Sequence, residues 1–273
     1  MPEGPEIRLA ADRIAKVLVG RTVVDVEFGL PALKCFENRL AGNTVTAVDT
    51  RGKAMLTRFD NGLTVYSHNQ LYGRWFTTRR PALPKTGRQL RLALHTSTRS
   101  ALLYSASDIS VLTSKQLKEH PLLRKLGPDI LDPGLTSKLI AERLRESRFI
   151  NRSLGSLYLD QGFLAGVGNY LRSEILWAAR LNPWSTPATL PAGNAEKLAK
   201  ATLALARRSY RTRGIIVPPS LARALREAGR DYADLRFHAF AREGLPCYEC
   251  GTRIERRAMG SRGLFVCPTC QSL

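Results

Sequence analysis

The sequence predicts an α+β protein, in which an N-terminal β-sandwich with a packed N-terminal helix precedes a helical domain and a cysteine-bearing tail. Three observations favour this class. Apolar residues recur with helical spacing at the start, alternate with strand spacing to about residue 115, and return to helical spacing from about 136 to 210. A chain of 273 residues also suits about two domains.

An apolar stripe predicts that one side of the first helix is buried. Its members recur every three or four positions: Ile7, Ala10, Ala11, Ile14, Val17 and Leu18. Two prolines and two glutamates stand at its start: Pro2, Glu3, Pro5 and Glu6. Proline suits a first turn because it lacks an N–H, and glutamate there complements the helix dipole. A helix start accounts for these residues, but not for their position beside a terminal amine.

Alternating apolar residues predict strands after Gly20. The predicted faces are Val24, Val26 and Phe28 in one strand and Leu90, Leu92 and Leu94 in another. Between them, Asp60-Asn61-Gly62 separates two apolar runs and predicts a hairpin.

Proline and glycine mark a linker at residues 120–134, HPLLRKLGPDILDPG. We therefore expect a β-sandwich domain at 1–119, a helical domain at 135–237 and a tail domain at 238–273.

The charge balance favours a polyanionic partner. Lys and Arg number 42 against 23 Asp and Glu, which gives a formal net charge of +19 and points to nucleic acid. No signal-like apolar run follows a basic N-terminus, and no stretch approaches the roughly 20 apolar residues of a membrane span, so we expect a cytoplasmic protein. We also expect a monomer.

Four cysteines predict one structural Zn²⁺. Cys247, Cys250, Cys267 and Cys270 have the spacing C-x2-C-x16-C-x2-C, and two such knuckles complete a tetrahedral site. Four protein ligands leave no open position for chemistry. The fifth cysteine, Cys35, has no partner in this pattern and is predicted to be a buried apolar residue.

A glycine turn precedes a helix at Gly166-Val167-Gly168-Asn169. Glycines allow close backbone approach, and N–H groups at a helix start bind anions such as a DNA phosphate. Asn169 is either the N-cap residue, a phosphate ligand, or both.

Several stretches, in this order and spacing, resemble the formamidopyrimidine-DNA glycosylase and endonuclease VIII family along nearly the whole chain. They are PEGPEI at the start, TRGKAML around Lys53, YSHNQLYGRW at 66–75, LYSASDI at 103–109, LGPDILDP at 126–133, GVGNYLRSEILW at 166–177, and the finger with Ser261-Arg262-Gly263. The resemblance implies that the helical domain is a helix-two-turn-helix domain. The forms PEGPEI and HNQLYG resemble the endonuclease VIII branch.

The resemblance assigns the chemistry to five residues. Once the initiator methionine is removed, the secondary amine of Pro2 attacks C1′ of the damaged nucleotide. Glu3 matches the family's acid, and Glu6 a supporting carboxylate. Lys53 matches the lysine of β-elimination, and Arg262 the finger arginine of δ-elimination. Gly263 departs from the proline that endonuclease VIII relatives often have there.

DNA contacts are also implied by the resemblance. Gln70, Leu71 and Tyr72 match the wedge that fills the gap left by an extruded base; the alternative is an ordinary hairpin with a buried Leu-Tyr pair. Lys125 and Asn169 match positions that bind backbone phosphate.

The resemblance implies a bifunctional DNA glycosylase and AP lyase of bacterial base-excision repair, associated with the nucleoid when bound to DNA. Its substrate would be double-stranded DNA with oxidised pyrimidines or abasic sites. Two alternatives stay open: the sister activity on oxidised purines, and a catalytically inactive DNA-binding protein of the same fold.

Overall fold

The computed structural model describes residues 2–273. The chain divides after Lys125 into two compact units. The elements of the first unit are α1 (Gly4–Leu18), β1 (Asp25–Phe28), α2 (Glu37–Leu40), β2 (Val45–Arg51), β3 (Ala54–Phe59), β4 (Leu63–His68), β5 (Arg74–Arg79), β6 (Leu90–His95), β7 (Arg99–Tyr104), β8 (Asp108–Thr113) and α3 (Ser114–Glu119). Those of the second are α4 (Ser137–Leu144), α5 (Leu154–Leu157), α6 (Asn169–Ala179), α7 (Asn194–Arg211), α8 (Pro219–Glu227), β9 (Glu255–Met259) and β10 (Arg262–Val266). No helix in residues 2–273 is long and apolar enough to cross a membrane.

The strands of the first unit form a β-sandwich. Its two antiparallel sheets have the strand orders β1-β6-β7-β5 and β2-β3-β4-β8. One apolar core joins both sheets to α1, and it includes Ile14, Val65 and Leu94. The predicted stripe on α1 is buried, and the predicted turn joins β3 to β4 with Gly62 at a φ of 80°. The predicted β-sandwich with a packed helix is therefore confirmed.

Two predicted strand positions were wrong. Val24 precedes the edge strand β1 and is 47% exposed, so it does not share the buried face of Val26 and Phe28. Leu90 lies beside a β-bulge that shifts the register between Leu90 and Leu92. The bulge breaks the alternation, and Leu90 packs against the small cluster of Ala93, Leu102 and Tyr104 rather than against the sandwich core.

Helices form the core of the second unit. Ile140 of α4, Ile175 of α6 and Leu198 of α7 belong to one buried cluster. Helix α6 is central, because most of its residues are buried, polar ones included. The tail forms a two-stranded antiparallel hairpin of β9 and β10. The chain passes from the first unit to the second inside residues 120–134, the segment predicted as a linker.

Candidate active site and nucleic-acid interface

Glu3 and Glu6 close the first turn of α1. Glu3 is the N-cap residue and is only 3% exposed. Its backbone N–H donates to Oε2 of Glu6 at 3.0 Å, and its side chain accepts from the backbone N–H of Glu6, which makes a reciprocal capping box. The candidate acid and its supporting carboxylate are thus fixed at one helix end.

Pro2 lies on the wall of a cavity of about 400 Å³ in the first unit. The start of α1 contributes Pro2 and Glu6 to this wall, and the segment before β5 contributes Leu71 and Tyr72. Four residues predicted for the site therefore meet around one space, whose volume is within the range of ligand pockets. Met1, whose removal the family resemblance implies, lies outside the described residues.

Three arginines line the same cavity, and no sequence motif marks them. They are Arg13, Arg74 and Arg88. The guanidinium of Arg74 lies 4.9 Å from the ring centre of Phe76, in a cation–π contact. The only signal for Arg13 was its helical spacing from Glu6 and Ala10, which also line the cavity. The charges of these arginines make the cavity favourable for oxygen-rich or anionic groups.

Lys53 occupies the turn between β2 and β3 and is half-buried. The next residue, Ala54, pairs with His68 across the sheet. Burial lowers the pKa of His68 below its usual 6.5, the positive charge of Lys53 lowers it further, and Asp108 opposes both. Lys53 therefore acts electrostatically on the end of β4, directly before the predicted wedge.

The predicted wedge residues project into solvent. Leu71 is 58% exposed and Tyr72 is 70% exposed, so the alternative of a buried Leu-Tyr pair in an ordinary hairpin was wrong. Gln70 has a left-handed φ of 50°, which is uncommon outside glycine. Exposed apolar side chains on a shaped turn suit insertion between bases.

Hydrogen bonds hold this turn from several sides. The backbone N–H of Gln70 donates to Nδ1 of His68 at 3.1 Å, and Ser107 Oγ donates to Oε1 of Gln70 at 2.8 Å. Nη1 of Arg88 donates to the carbonyl of Tyr72 at 2.6 Å. A Cβ at Gly73 would lie 2.5 Å from the carbonyl oxygen of Asn69, so only glycine fits there. Contacts within the protein therefore set the conformation of this turn, which does not depend on bound DNA.

Lys125 ends the 3₁₀ turn Leu123–Lys125 and is exposed to solvent. It is the last residue of the first unit.

Asn169 begins α6, but it is not the N-cap residue; Gly168 is. The extended backbone of Gly168, at φ −133° and ψ −154°, lets the chain enter the helix one residue earlier than predicted. The Asn169 side chain instead reaches the finger, because Nδ2 donates to the carbonyl of Gly263 at 2.9 Å. Its Oδ1 accepts from Nη2 of Arg172.

Arg262 is the first residue of β10 and is exposed. It follows the turn Gly260-Ser261, in which Gly260 has a φ of 62°. The side chain of Arg256 fills the space where a side chain at Gly263 would lie. The structure thus places Asn169 beside the finger tip and Arg262 at that tip, within the second unit.

Sequence reasoning missed a buried carboxylate in α6. Glu174 is fully buried and accepts hydrogen bonds from the backbone N–H groups of His238, Ala239 and Phe240 at 2.8–2.9 Å. Nδ1 of His238 lies 2.9 Å from the same carboxylate. Burial alone would raise the pKa of Glu174, but the contacts with His238 and the backbone N–H groups lower it overall.

The four cysteines of the tail converge. All four Sγ atoms lie within 4.8 Å of one another, and three pairs are 3.4, 3.5 and 3.9 Å apart. A disulfide would require about 2.0 Å, whereas a tetrahedron with Zn–S distances of about 2.3 Å implies sulfurs about 3.8 Å apart. The donor set and its spacing therefore fit Zn²⁺.

Cys35 does not share this environment. It is exposed, in the 3₁₀ helix Pro31–Phe36, so the prediction of a buried apolar cysteine was wrong. That short helix has no buried residue, and it packs against the sandwich core through Leu33 and Phe36 rather than through Cys35.

Three family profiles match the chain. The formamidopyrimidine-DNA glycosylase N-terminal domain matches residues 1–107, its H2TH domain matches 126–218, and the zinc finger found in FPG and IleRS matches 244–273. The third match agrees with the sulfur geometry, and the tail is a structural zinc site with Cys247, Cys250, Cys267 and Cys270 as its ligands.

Whole-chain relatives agree with these matches. Endonuclease 8 of Escherichia coli strain UMN026 is 48% identical over 271 residues, which cover 99% of this chain and 100% of the relative. The complex of Lactococcus lactis Fpg with abasic-site DNA superposes with a TM-score of 0.81 at 21% identity, covering 99% and 100% of the two chains. The L. lactis Fpg complex with DNA containing an oxidised pyrimidine has a TM-score of 0.80 at 22% identity, covering both chains fully. With its sandwich, H2TH domain and four-cysteine finger, the chain belongs to the formamidopyrimidine-DNA glycosylase and endonuclease VIII family.

Proposed function

We propose that this protein is a bifunctional DNA glycosylase and AP lyase of base-excision repair, which excises oxidised pyrimidines from double-stranded DNA and cuts by β,δ-elimination. The observation that carries the proposal is the position of Pro2. It directly precedes the Glu3–Glu6 capping box and lines the cavity with Leu71 and Tyr72. A nucleophile, a carboxylate and a wedge therefore share one space.

The nucleophile is the amine of Pro2 after removal of Met1. An α-amino group has a pKa of about 7.7–8.0, so roughly a tenth to a sixth of it is neutral at pH 7. Its nitrogen forms a bond to C1′ of the lesion as the glycosidic bond breaks, and the departing base takes that bond's electron pair and the proton that the amine loses. Opening of the sugar ring then gives the iminium. Because the amine is secondary, the resulting iminium is cationic without protonation.

Glu3 is the proton donor for sugar-ring opening in this proposal. Protonation of the ring oxygen by Glu3 breaks the C1′–O bond as the iminium forms. The capping box holds Glu3 beside Pro2, and Glu6 supports it there. The carboxylate therefore needs little reorganisation when the sugar arrives.

The iminium then serves as an electron sink for two eliminations. Loss of the C2′ proton expels the 3′ phosphate, and loss of the C4′ proton expels the 5′ phosphate, which leaves a one-nucleotide gap with phosphate ends. Lys53 is assigned to proton transfer and phosphate contact in the first elimination. Arg262 is assigned to the second, where its bidentate guanidinium stabilises a phosphate beside the lesion.

The remaining residues bend and hold the DNA. Extrusion of a base costs a few kcal/mol, which apolar insertion and phosphate contacts offset. Gln70, Leu71 and Tyr72 insert where the base was, and Lys125 and Asn169 bind backbone phosphates. The four cysteines hold Zn²⁺, whose binding energy organises a finger too small for a core of its own.

The proposed compartment is the bacterial cytoplasm, with association with the nucleoid through bound DNA. The predicted monomer remains part of the proposal. Zinc ligation by thiolates suits a reducing compartment.

Borohydride trapping tests the proposal. We expect duplex DNA with an abasic site or thymine glycol to give a covalent adduct at Pro2, located by mass spectrometry of the trapped peptide. Pro2→Gly should lose the adduct or form it at another amine, whereas Pro5→Ala, a substitution inside the first turn of α1, should trap normally. Absence of an adduct with the wild-type protein would favour an inactive DNA-binding protein.

A lesion panel separates the two glycosylase activities. We expect faster excision of thymine glycol than of 8-oxoguanine under single-turnover conditions. The reverse order would assign the chain to the oxidised-purine activity.

A further inference from the structure

We propose that Arg172 is a positioning residue that fixes both the amide orientation of Asn169 and the place of the finger tip carrying Arg262. The inference rests on the proposed function, because its readout is the chemistry at the abasic site.

Arg172 bridges three segments of the second unit. It lies in the first turns of α6 and is fully buried, the largest side chain of which this is true in residues 2–273. Nη1 donates to the carbonyl of Gly155 at 3.2 Å, and Nη2 donates to Oδ1 of Asn169 at 2.5 Å and to the carbonyl of Gly263 at 3.4 Å. A guanidinium removed from water needs such acceptors.

The contact with Asn169 determines which side of its amide can meet a phosphate. An asparagine amide has one acceptor oxygen and two N–H donors. Because Arg172 binds Oδ1, the nitrogen faces Gly263, to whose carbonyl it donates at 2.9 Å. The second N–H remains for a phosphate oxygen. In the flipped amide, two oxygens would face each other at Gly263 and the arginine would face a donor. Arg172 therefore makes Asn169 a donor toward DNA.

The contact with Gly263 ties the finger to α6. Gly263 follows Arg262, and its carbonyl accepts from both Arg172 and Asn169. Two residues further along β10, the backbone N–H of Phe265 donates to Oγ of Ser173 at 3.4 Å. These contacts fix the backbone beside Arg262, whose own side chain is exposed. The reach of Arg262 toward a phosphate therefore depends on Arg172.

Arg172→Lys tests this dependence, because lysine keeps the charge but replaces the planar fork with a single ammonium. We expect the ratio of δ- to β-elimination products on abasic DNA to fall roughly tenfold, the value of one charge-assisted hydrogen bond. Borohydride adduct formation at Pro2 should change much less.

Arg143→Lys is the matched control. Arg143 is a partly buried arginine of the second unit, and it donates to the carbonyls of Gly162 and Phe163 rather than to the finger. We expect this control to keep the wild-type product ratio even if its melting temperature falls. Zinc content and thermal unfolding are measured for both variants, and Arg172→Gln replaces Arg172→Lys if the latter does not fold.

A double variant isolates the route through Arg262. In an Arg262→Ala background, Arg172→Lys should cause no further fall in the product ratio, since interacting residues are non-additive. An unchanged ratio in Arg172→Lys, an equal fall in Arg143→Lys, or additive falls in the double variant would each overturn the inference. If the wild-type protein forms neither adduct nor product, the proposed function fails instead.

Discussion

The backbone N–H of Glu3 donates to Oε2 of Glu6 at 3.0 Å, while the Glu3 side chain accepts from the backbone of Glu6. The residue assigned as the acid is therefore also the N-cap of α1, and its structural and chemical roles can be separated by substitution.

Glu3→Gln should retain the cap, because an amide oxygen still accepts, and should lose the acid. We expect excision of thymine glycol to fall at least about 100-fold, a typical value for general acid catalysis. Adduct formation with a preformed abasic site should fall less, because that sugar already opens to an aldehyde. Single-turnover excision and borohydride trapping measure the two steps. Equal losses of both steps in Glu3→Gln would contradict the assignment of Glu3 as the acid.

The Glu6 side chain accepts from the backbone N–H of Glu3. Glu6→Ala removes this acceptor and should lower the free energy of unfolding by about 1 kcal/mol.

Leu71 of the wedge should affect excision from double-stranded DNA but not the stability of the fold. Leu71 is 58% exposed, so Leu71→Ala should leave the free energy of unfolding within about 0.5 kcal/mol of wild type. Excision from duplex DNA should slow, because the extruded base loses its apolar replacement. Leu83→Ala is the matched control, since Leu83 is 63% exposed and does not line the cavity beside Pro2. Equal excision rates for the two variants would argue against insertion by Leu71.

His68 should make the wedge turn sensitive to acid. Its Nδ1 accepts from the Gln70 N–H, which requires the unprotonated nitrogen, and its pKa is lowered by burial and by Lys53, against the opposing charge of Asp108. The unfolded chain binds a proton near pH 6.5, so this contribution to stability is complete above that pH and is lost as pH falls through the lower folded pKa. His68→Asn keeps an acceptor but does not titrate. Denaturant unfolding from pH 7.5 to 5 should show a steeper loss for wild type than for His68→Asn; parallel curves would contradict this role.

Substitution of Glu174 should strongly lower the stability of the second unit. Glu174→Gln places an amide where a buried carboxylate accepts from backbone N–H groups and faces His238, and we expect a loss of about 2–4 kcal/mol. Because the pKa of Glu174 is lowered, its contribution is present above the unfolded pKa and is lost as pH falls through the folded value. Glu142→Gln, at an exposed site 4.0 Å from Lys138, should change stability by less than about 0.5 kcal/mol. Comparable chemical-denaturation midpoints for the two variants would refute the prediction.

Zinc removal should unfold the finger and leave the sandwich folded. A chelator should abolish hydrogen-exchange protection in β9 and β10 while that of β3 and β4 persists, because only the tail depends on the metal. Cys250→Ser should reduce the zinc content below one ion per chain, and Cys35→Ala should not. An active protein without metal would contradict a structural role.

The parts of the fold that follow from local chemistry could be predicted from the sequence. The stripe of α1, the hairpin turn at Gly62 and the paired cysteines each depend on a few neighbouring residues. The β-bulge at Leu90 and the exposure of Cys35 could not be predicted, because both depend on how the sandwich packs. Alternation in the sequence carries no sign of a shifted register.

For the candidate site, too, some residues could be predicted from the sequence and others could not. Its predicted residues came from a resemblance to known proteins, and charge and spacing alone gave Lys53 no distinction from a surface lysine. Arg172 and Glu174 looked like ordinary charged residues of a helix, whereas both are fully buried. Their acceptors and donors lie up to 91 residues away in the chain, which no local pattern records.

The place of Pro2 has a practical consequence for recombinant work. Pro2 directly precedes the N-cap residue of α1 and lines the cavity. Any peptide fused ahead of Pro2 would convert its nitrogen to an amide and would lie beside that cavity. Affinity tags therefore belong on the finger side of the chain, where Leu273 is exposed. Under the proposed mechanism, the catalytically competent fraction of a preparation would equal the fraction from which the expression host has removed Met1.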